Sequence, residues 1–162
     1  MNPAAAVKTV CILRLSALGD ATHILPLIRT LQKKLPEAKI TWILGKGEAK
    51  LMEGLDGVEL IAFDKKAGLQ GLKDLTQALD GRRFDVLLHM QLALRAHLVS
   101  AVLSAKRRIG YDRERAKEGH GLFVNERIRH DGHHVLDVFG LFTEPLGFRQ
   151  TEITWDLPVP AE

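Results

Sequence analysis

Asp20 and His23 head the residues able to do chemistry. They are three positions apart, so on a helix they are neighbours on one face. Asp20 has two readings. A carboxylate at a helix start caps backbone N–H groups and meets the positive end of the helix dipole. The same carboxylate on the rim of a sheet is a general base for a bound hydroxyl. The roles conflict in part, because a carboxylate tied to N–H donors has a lowered pKa and is a weaker base. His23 is either its hydrogen-bonded helical neighbour or the second member of a catalytic pair. Just before them, Ser16, Ala17, Leu18 and Gly19 form a short turn able to hold a phosphate. With one glycine it matches neither GxGxxG nor GxxxxGK[ST], which argues against a dinucleotide or P-loop site.

A second group straddles the end of an apolar run and the start of a helix: His89, Gln91, Arg95 and His97. Polar residues there suit a site on the rim. Helix-surface solvation accounts for Arg95 and His97 equally well, whereas Gln91 falls at the strand exit itself. A basic block follows, with Lys106, Arg107, Arg108, Arg113, Arg115, Lys117, Arg127 and Arg129 interleaved with Asp112, Glu114, Glu118 and Glu126. Alternating signs describe a solvated face. Arginines on a loop also grip carboxylates and phosphates through the guanidinium fork. Aromatics are few and not interleaved with these cations, which argues against a nucleic-acid platform. His120, His130, His133 and His134 raise a metal reading, but their spacing is not a standard ligand pattern and no cysteine joins them. No metal is expected, and His133 or His134 is read as a substrate contact or a polar group at a helix start.

The elements that must position these groups follow from the hydrophobic pattern. An apolar run over 8–15 reads as a central strand of a parallel sheet. Ile24, Leu27, Ile28 and Leu31 give a helix over 20–34, with a kink or later start at Pro26. Strands follow at 39–44, 58–63, 84–90 and 106–110. Between them lie a turn at 45–47 with a short helix to 55, a helix at 68–79 and a helix at 92–103. Strands alternating with helices through short links predict a doubly wound α/β domain. Right-handed crossovers then bring the ends of the first and fourth strands to one rim. Residues 111–134 read as a long charged loop, the kind usually tied to function or disorder. Helical spacing resumes over 135–146. The tail, with Leu157-Pro158-Val159-Pro160, reads as the start of a linker.

With 162 residues, of which 46% are hydrophobic, the chain suits about one ordinary domain. No apolar run approaches the roughly 20 residues that span a bilayer, and the N-terminus lacks a signal-peptide layout. The single cysteine, Cys11, reads as a small buried hydrophobe. These features lead to an expected cytoplasmic location. A net charge of +3 suits an anionic small molecule, a membrane surface or nucleic acid alike.

The order of motifs is also familiar. Ile12-Leu13-Arg14-Leu15-Ser16-Ala17-Leu18-Gly19-Asp20, then His23-Ile24-Leu25-Pro26-Leu27, resembles the amino-terminal signature of the ADP-heptose:lipopolysaccharide heptosyltransferases, glycosyltransferase family 9. Phe84 to Gln91, Arg108-Ile109-Gly110-Tyr111-Asp112 and His133-His134-Val135-Leu136-Asp137 continue the likeness. It implies a GT-B architecture of two Rossmann-like domains, of which this chain is the amino-terminal, acceptor-binding one over 1–150. Residues 151–162 would begin the interdomain linker, and the donor-binding domain would be absent. The resemblance implies an inverting transfer from ADP-heptose to a lipid A–Kdo type acceptor, without a required metal or cofactor. It implies Asp20 as the base that deprotonates the acceptor hydroxyl. It further implies that Ser16, Ala17, Leu18, Gly19, His23, Gln91 and Arg95 line the substrate site. Arg113, Arg115, Lys117 and Arg127 would hold the acceptor's acidic groups, with His133 a further substrate contact. Nucleic acid is not an expected partner, and contact with the cytoplasmic face of the inner membrane is. The fragment alone would be inactive. A stand-alone α/β module binding a nucleotide or sugar phosphate is the alternative.

Overall fold

In a computed structural model of the chain, residues 7–15, 23–112, 115, 119–129 and 135–148 are described. Residues 16–20, Arg113, Lys117, His133 and the tail from 149 onward therefore lie outside the described residues. The strands are β1 (Thr9–Leu13), β2 (Lys39–Gly45), β3 (Val58–Phe63), β4 (Arg83–His89), β5 (Ser104–Gly110) and β6 (Glu126–Arg127). The helices are α1 (Ile24–Lys34), α2 (Lys46–Leu51), α3 (Leu69–Leu79), α4 (Leu94–Val102) and α5 (Val135–Gly140), with 3-10 turns at His120–Leu122 and Leu141–Leu146.

All six described strands form one parallel sheet in the order β3-β2-β1-β4-β5-β6. Alternation along β1 explains why it is central. Val10 and Ile12 face one core, with α1, Met52 and Phe142. Cys11 and Leu13 face another, with Leu75 and Leu79 of α3 and Ala96 and Val99 of α4. Both faces are thus covered, as an all-parallel sheet requires. Cys11 is fully buried, and burial keeps its thiol protonated. Because β1 pairs with β2 on one side and β4 on the other, the chain reverses its direction of strand addition there. Beyond the carboxyl ends of β1 and β4 lies the switch point at which open α/β sheets bind ligands.

The helix expected over 20–34 begins later, at Ile24, and its N-cap position belongs to His23 rather than Asp20. Pro26 explains the boundary. It sits in the first turn, where its missing N–H has no intrahelical acceptor to lose. No separate turn occupies 45–47, because Gly45 ends β2 and directly caps α2. The long loop also holds structure that hydrophobic periodicity does not report. Its 3-10 turn and the two-residue β6 are too short to carry a repeat. The helix expected over 135–146 changes to a 3-10 turn at Leu141, with Pro145 inside it.

Candidate functional site

The rim of the switch point is built from backbone ends held by side chains. β1 leaves the sheet through Arg14 and Leu15. Gln91, just past β4, accepts the Leu15 N–H on its Oε1 at 2.6 Å. The Arg14 guanidinium donates to the Met90 carbonyl at 2.6 Å, and the Tyr111 hydroxyl donates to the same oxygen at 2.9 Å. The indole N–H of fully buried Trp42 donates to the Arg14 carbonyl at 3.3 Å. From the β2 side, the Gly45 N–H donates to the Leu15 carbonyl at 2.9 Å. The last two residues before the 16–22 segment are therefore fixed from both neighbouring strands. Gln91 acts here as a positioning residue, because its amide oxygen is spent on the backbone that launches that segment.

Gly45 is a glycine for a spatial reason. A Cβ at this position would sit 2.8 Å from the Leu15 carbonyl and 2.8 Å from Lys65 Cε. Beside it Glu48 is buried, with Lys65 at 3.3 Å from its Oε1.

Behind the exit of β4, three histidines come together that are scattered in sequence. His89 ends β4, His97 lies on α4, and His120 opens the 3-10 turn; all three are buried. His89 Nε2 is 2.9 Å from His97 Nδ1. The ring centroids are 4.5 Å apart for His89 and His120 and 5.1 Å for His97 and His120. Phe123 stacks on His97. Burial, then His120, His97 and Arg108, push the His89 pKa down to about 2. Burial, then His97 and Arg127, push that of His120 down to about 4. Burial thus favours the neutral form of His89 and His120.

One nitrogen from each ring lies within 4.8 Å of the others, a grouping that would suit a metal ion. The hydrogen bonds point elsewhere. His120 Nε2 accepts the Tyr111 N–H at 2.9 Å, so a neutral ring carries its proton on Nδ1. Ligation through Nδ1 would need the imidazolate, and ligation through Nε2 would break the Tyr111 bond. Among the described residues, the charged groups acting on His89 are His120, His97 and Arg108, and Arg108 adds positive charge. The cluster is a clasp that fastens the 3-10 turn of the basic loop onto β4 and α4. Gly110 makes room for it, since a Cβ there would strike His120.

The basic block separates into two kinds of residue. Arg107 pairs with both carboxylate oxygens of Glu126 at 2.7 Å, and Arg129 pairs with Glu144 at 2.7 Å. Arg108 donates to the carbonyls of Phe123, Leu103 and Ser100. These three hold the loop in place. Of the expected acceptor-binding residues, Arg115 is drawn onto Asp112 at 2.6 Å, while Arg127 is exposed on the edge strand β6. Arg95 is exposed at the start of α4, and His23 is half-buried at the start of α1. Ser16, Ala17, Leu18, Gly19, Asp20, Arg113, Lys117 and His133 lie outside the described residues. Sequence reasoning placed His89 and His97 on the rim and His120 in a metal question, but did not join them. A separation of 31 positions between His89 and His120 leaves no local signal to find.

Comparison with known proteins fits this geometry. The family model of glycosyltransferase family 9 (heptosyltransferase) matches residues 72–162. The chain is 43% identical over 155 residues to the lipopolysaccharide core heptosyltransferase OpsX of Haemophilus influenzae, covering 95% of this chain and 45% of that protein. It superposes on a family 9 glycosyltransferase from Veillonella parvula with a TM-score of 0.81 at 19% identity, covering 95% of this chain and 45% of the other. On E. coli heptosyltransferase WaaC with ADP the TM-score is 0.77 at 23% identity, covering 90% of this chain and 49% of the other. The chain therefore spans about half the length of these relatives. Because the family model matches more than half of its residues, this chain belongs to glycosyltransferase family 9.

Proposed function

We propose that this chain is the acceptor-binding half of an inverting heptosyltransferase. That enzyme would move heptose from ADP-heptose to the Kdo/heptose inner core of lipopolysaccharide. Family membership supports the reaction class, and WaaC structures with ADP and with ADP-2-deoxy-2-fluoro heptose support the donor class. The observation that carries the site is the clamped exit of β1. Gln91, Trp42 and Gly45 fix Arg14 and Leu15, so the next residues, which include Asp20, start from a rigid edge.

In this reading Asp20 takes the proton of the acceptor hydroxyl. The oxygen attacks the anomeric carbon of heptose from the face opposite the nucleotide. The carbon–oxygen bond to the diphosphate breaks, and ADP leaves with the electron pair. A diphosphate needs little acid assistance to depart, so the base is the main demand on this half. Arg113, Arg115, Lys117 and Arg127 hold the acceptor's acidic groups, and His133 is a further substrate contact; Arg115 would have to leave Asp112 to do so. A second Rossmann-like domain, following a linker at 151–162, carries the donor. The transfer needs no cofactor beyond its two substrates. The chain works in the cytoplasm, at the inner membrane where its lipid-borne acceptor resides.

The test uses the chain both alone and extended to the family's full length. The extended protein transfers heptose, and Asp20→Ala lowers kcat by about 10²–10⁴-fold, the usual weight of a general base. Unchanged transfer by that variant removes Asp20 from the role. Calorimetry on the 162-residue chain should show binding of a Kdo-containing acceptor and none of ADP. Tight binding of ADP by the chain alone would favour a self-contained nucleotide-binding module instead.

A further inference from the structure

Glu48 is a carboxylate that the fold buries without satisfying it in full. It is the third residue of α2, and its side chain turns back over Gly45 at the end of β2. That side chain is 7% exposed. One oxygen, Oε1, lies 3.3 Å from the Lys65 ammonium. The other, Oε2, is buried and has no hydrogen-bond partner among the described residues. A buried polar atom left unpaired costs free energy, so it needs a reason beyond packing. An apolar side chain of similar volume would fill the same space without that cost.

The place of the oxygen narrows the reason. A Cβ at Gly45 would meet Glu48 Oε2, the Leu15 carbonyl and Lys65 Cε, all within 2.8 Å, so these three groups converge on one point. The point lies at the carboxyl end of the sheet, where Gly45 of β2 donates to Leu15, and the segment leading to Asp20 departs from Leu15. Ligands of open α/β sheets bind along this edge. Lys65 lies across it with its side chain 28% exposed. The same lysine lines an open groove of about 480 Å³ together with Phe63 and Arg95. A lysine stem is flexible, so rotation of Lys65 uncovers Oε2 toward the groove. Charge then sets the chemistry of the ligand group. Lys65 already supplies the carboxylate with a cation, which leaves the second oxygen open to a neutral donor. An ionised carboxylate only accepts hydrogen bonds. The group that fits is a hydroxyl or an amide N–H, and a saccharide is rich in the first.

We propose that Glu48 Oε2 accepts a hydrogen bond from a hydroxyl of the acceptor sugar and so helps to determine which acceptor this protein takes. Lys65 balances the charge of the carboxylate and covers it when no sugar is bound. The hydroxyl held by Glu48 orients the sugar beside the edge that leads to Asp20; it is not the hydroxyl that reacts. The inference rests on the proposed saccharide acceptor.

The experiment uses the protein extended to the family's full length, a Kdo-containing acceptor and the monodeoxy analogues of that acceptor. Glu48→Met removes both carboxylate oxygens at similar volume. It should raise the acceptor's KM, and its calorimetric Kd, by about ten- to a hundredfold, the weight of a hydrogen bond to a charged group. Its kcat should stay within about threefold of wild type, as loss of uniform binding requires. Its thermal midpoint should equal or exceed that of wild type, because a buried and half-satisfied carboxylate is gone. Glu48→Gln, the closest match in shape, should weaken binding less, since the Lys65 ammonium draws the amide oxygen and leaves the NH₂ group where Oε2 was. One monodeoxy analogue should show the same rise in KM with wild type, and Glu48→Met should add nothing further to it. A lowered thermal midpoint with KM unchanged would make Glu48 a structural charge and overturn the proposal. So would effects of Glu48→Met that add to those of every monodeoxy analogue. Wild type that neither binds the Kdo-containing acceptor nor transfers to it would remove the proposed function and this assignment together. Wild type that does both, with variants that match it, would remove the Glu48 assignment alone.

Discussion

Gln91 has a narrower task than its position at a strand exit implies. Its amide oxygen accepts the Leu15 N–H, so its first effect is on the backbone leading to Asp20. Replacing Gln91 with Ala strips a partly buried N–H of its acceptor, which costs about 1–3 kcal/mol. The expected result is a lower thermal midpoint together with a fall in kcat of the extended enzyme. Gln91→Glu keeps an acceptor oxygen and should recover most of the thermal midpoint. Equal midpoints for the Ala variant and wild type would mean that the bond does not hold the exit of β1. The residue type and its place after an apolar run were readable in the sequence. Its partner was not, because the two residues are 76 positions apart. Arg107 and Arg108 teach the same point from the other side. As letters they are part of one basic block, whereas in the fold one grips Glu126 and the other feeds three carbonyls.

Among the elements, the junction of β1 and β2 leaves no room for a side chain at Gly45. Gly45→Ala pushes a methyl group against the Leu15 carbonyl, which is backbone and cannot swing aside. Overpacking of this kind costs about 1–3 kcal/mol. The variant should lose stability in urea titration, and the extended enzyme should lose kcat, because the displaced residues lead into the 16–22 segment. A Gly45→Ala protein with native stability and kcat would show that the edge is softer than its contacts indicate. Five strands and their helices were legible because each carries several residues of period two or 3.6. β6 was not, since two residues carry no period, and only pairing with Ile109 and Gly110 makes them a strand. The start of α1 was half legible: Pro26 signalled a later beginning, and the structure sets it at Ile24.

For the whole molecule, the histidine clasp sets a pH limit. In the unfolded chain an imidazole has its ordinary pKa of 6.5, whereas His89 and His120 fall to about 2 and about 4 in the fold. Below pH 6.5 the unfolded state therefore binds more protons than the native state. Stability is complete above that pH and falls as pH drops, by up to about 1.4 kcal/mol per pH unit for each histidine. The loss from His120 levels off near pH 4, while that from His89 continues toward pH 2. Urea midpoints measured from pH 7.5 to pH 5 should fall steeply, and His120→Gln should flatten the slope by about one proton. A flat profile for wild type would show that the clasp titrates normally. By itself the sequence determined the alternating α/β order, the parallel sheet and the motifs of the family, since these depend on local periodicity and short spacings. Only the tertiary structure decided which strands are neighbours, and with them the switch point beside β1. It also decided which arginines are already spent, and that three distant histidines clasp the basic loop. Those outcomes depend on contacts between residues far apart in the chain, and no local pattern encodes them. The Asp20 turn is thus named by sequence, while the rigid edge from which it starts is a property of the fold.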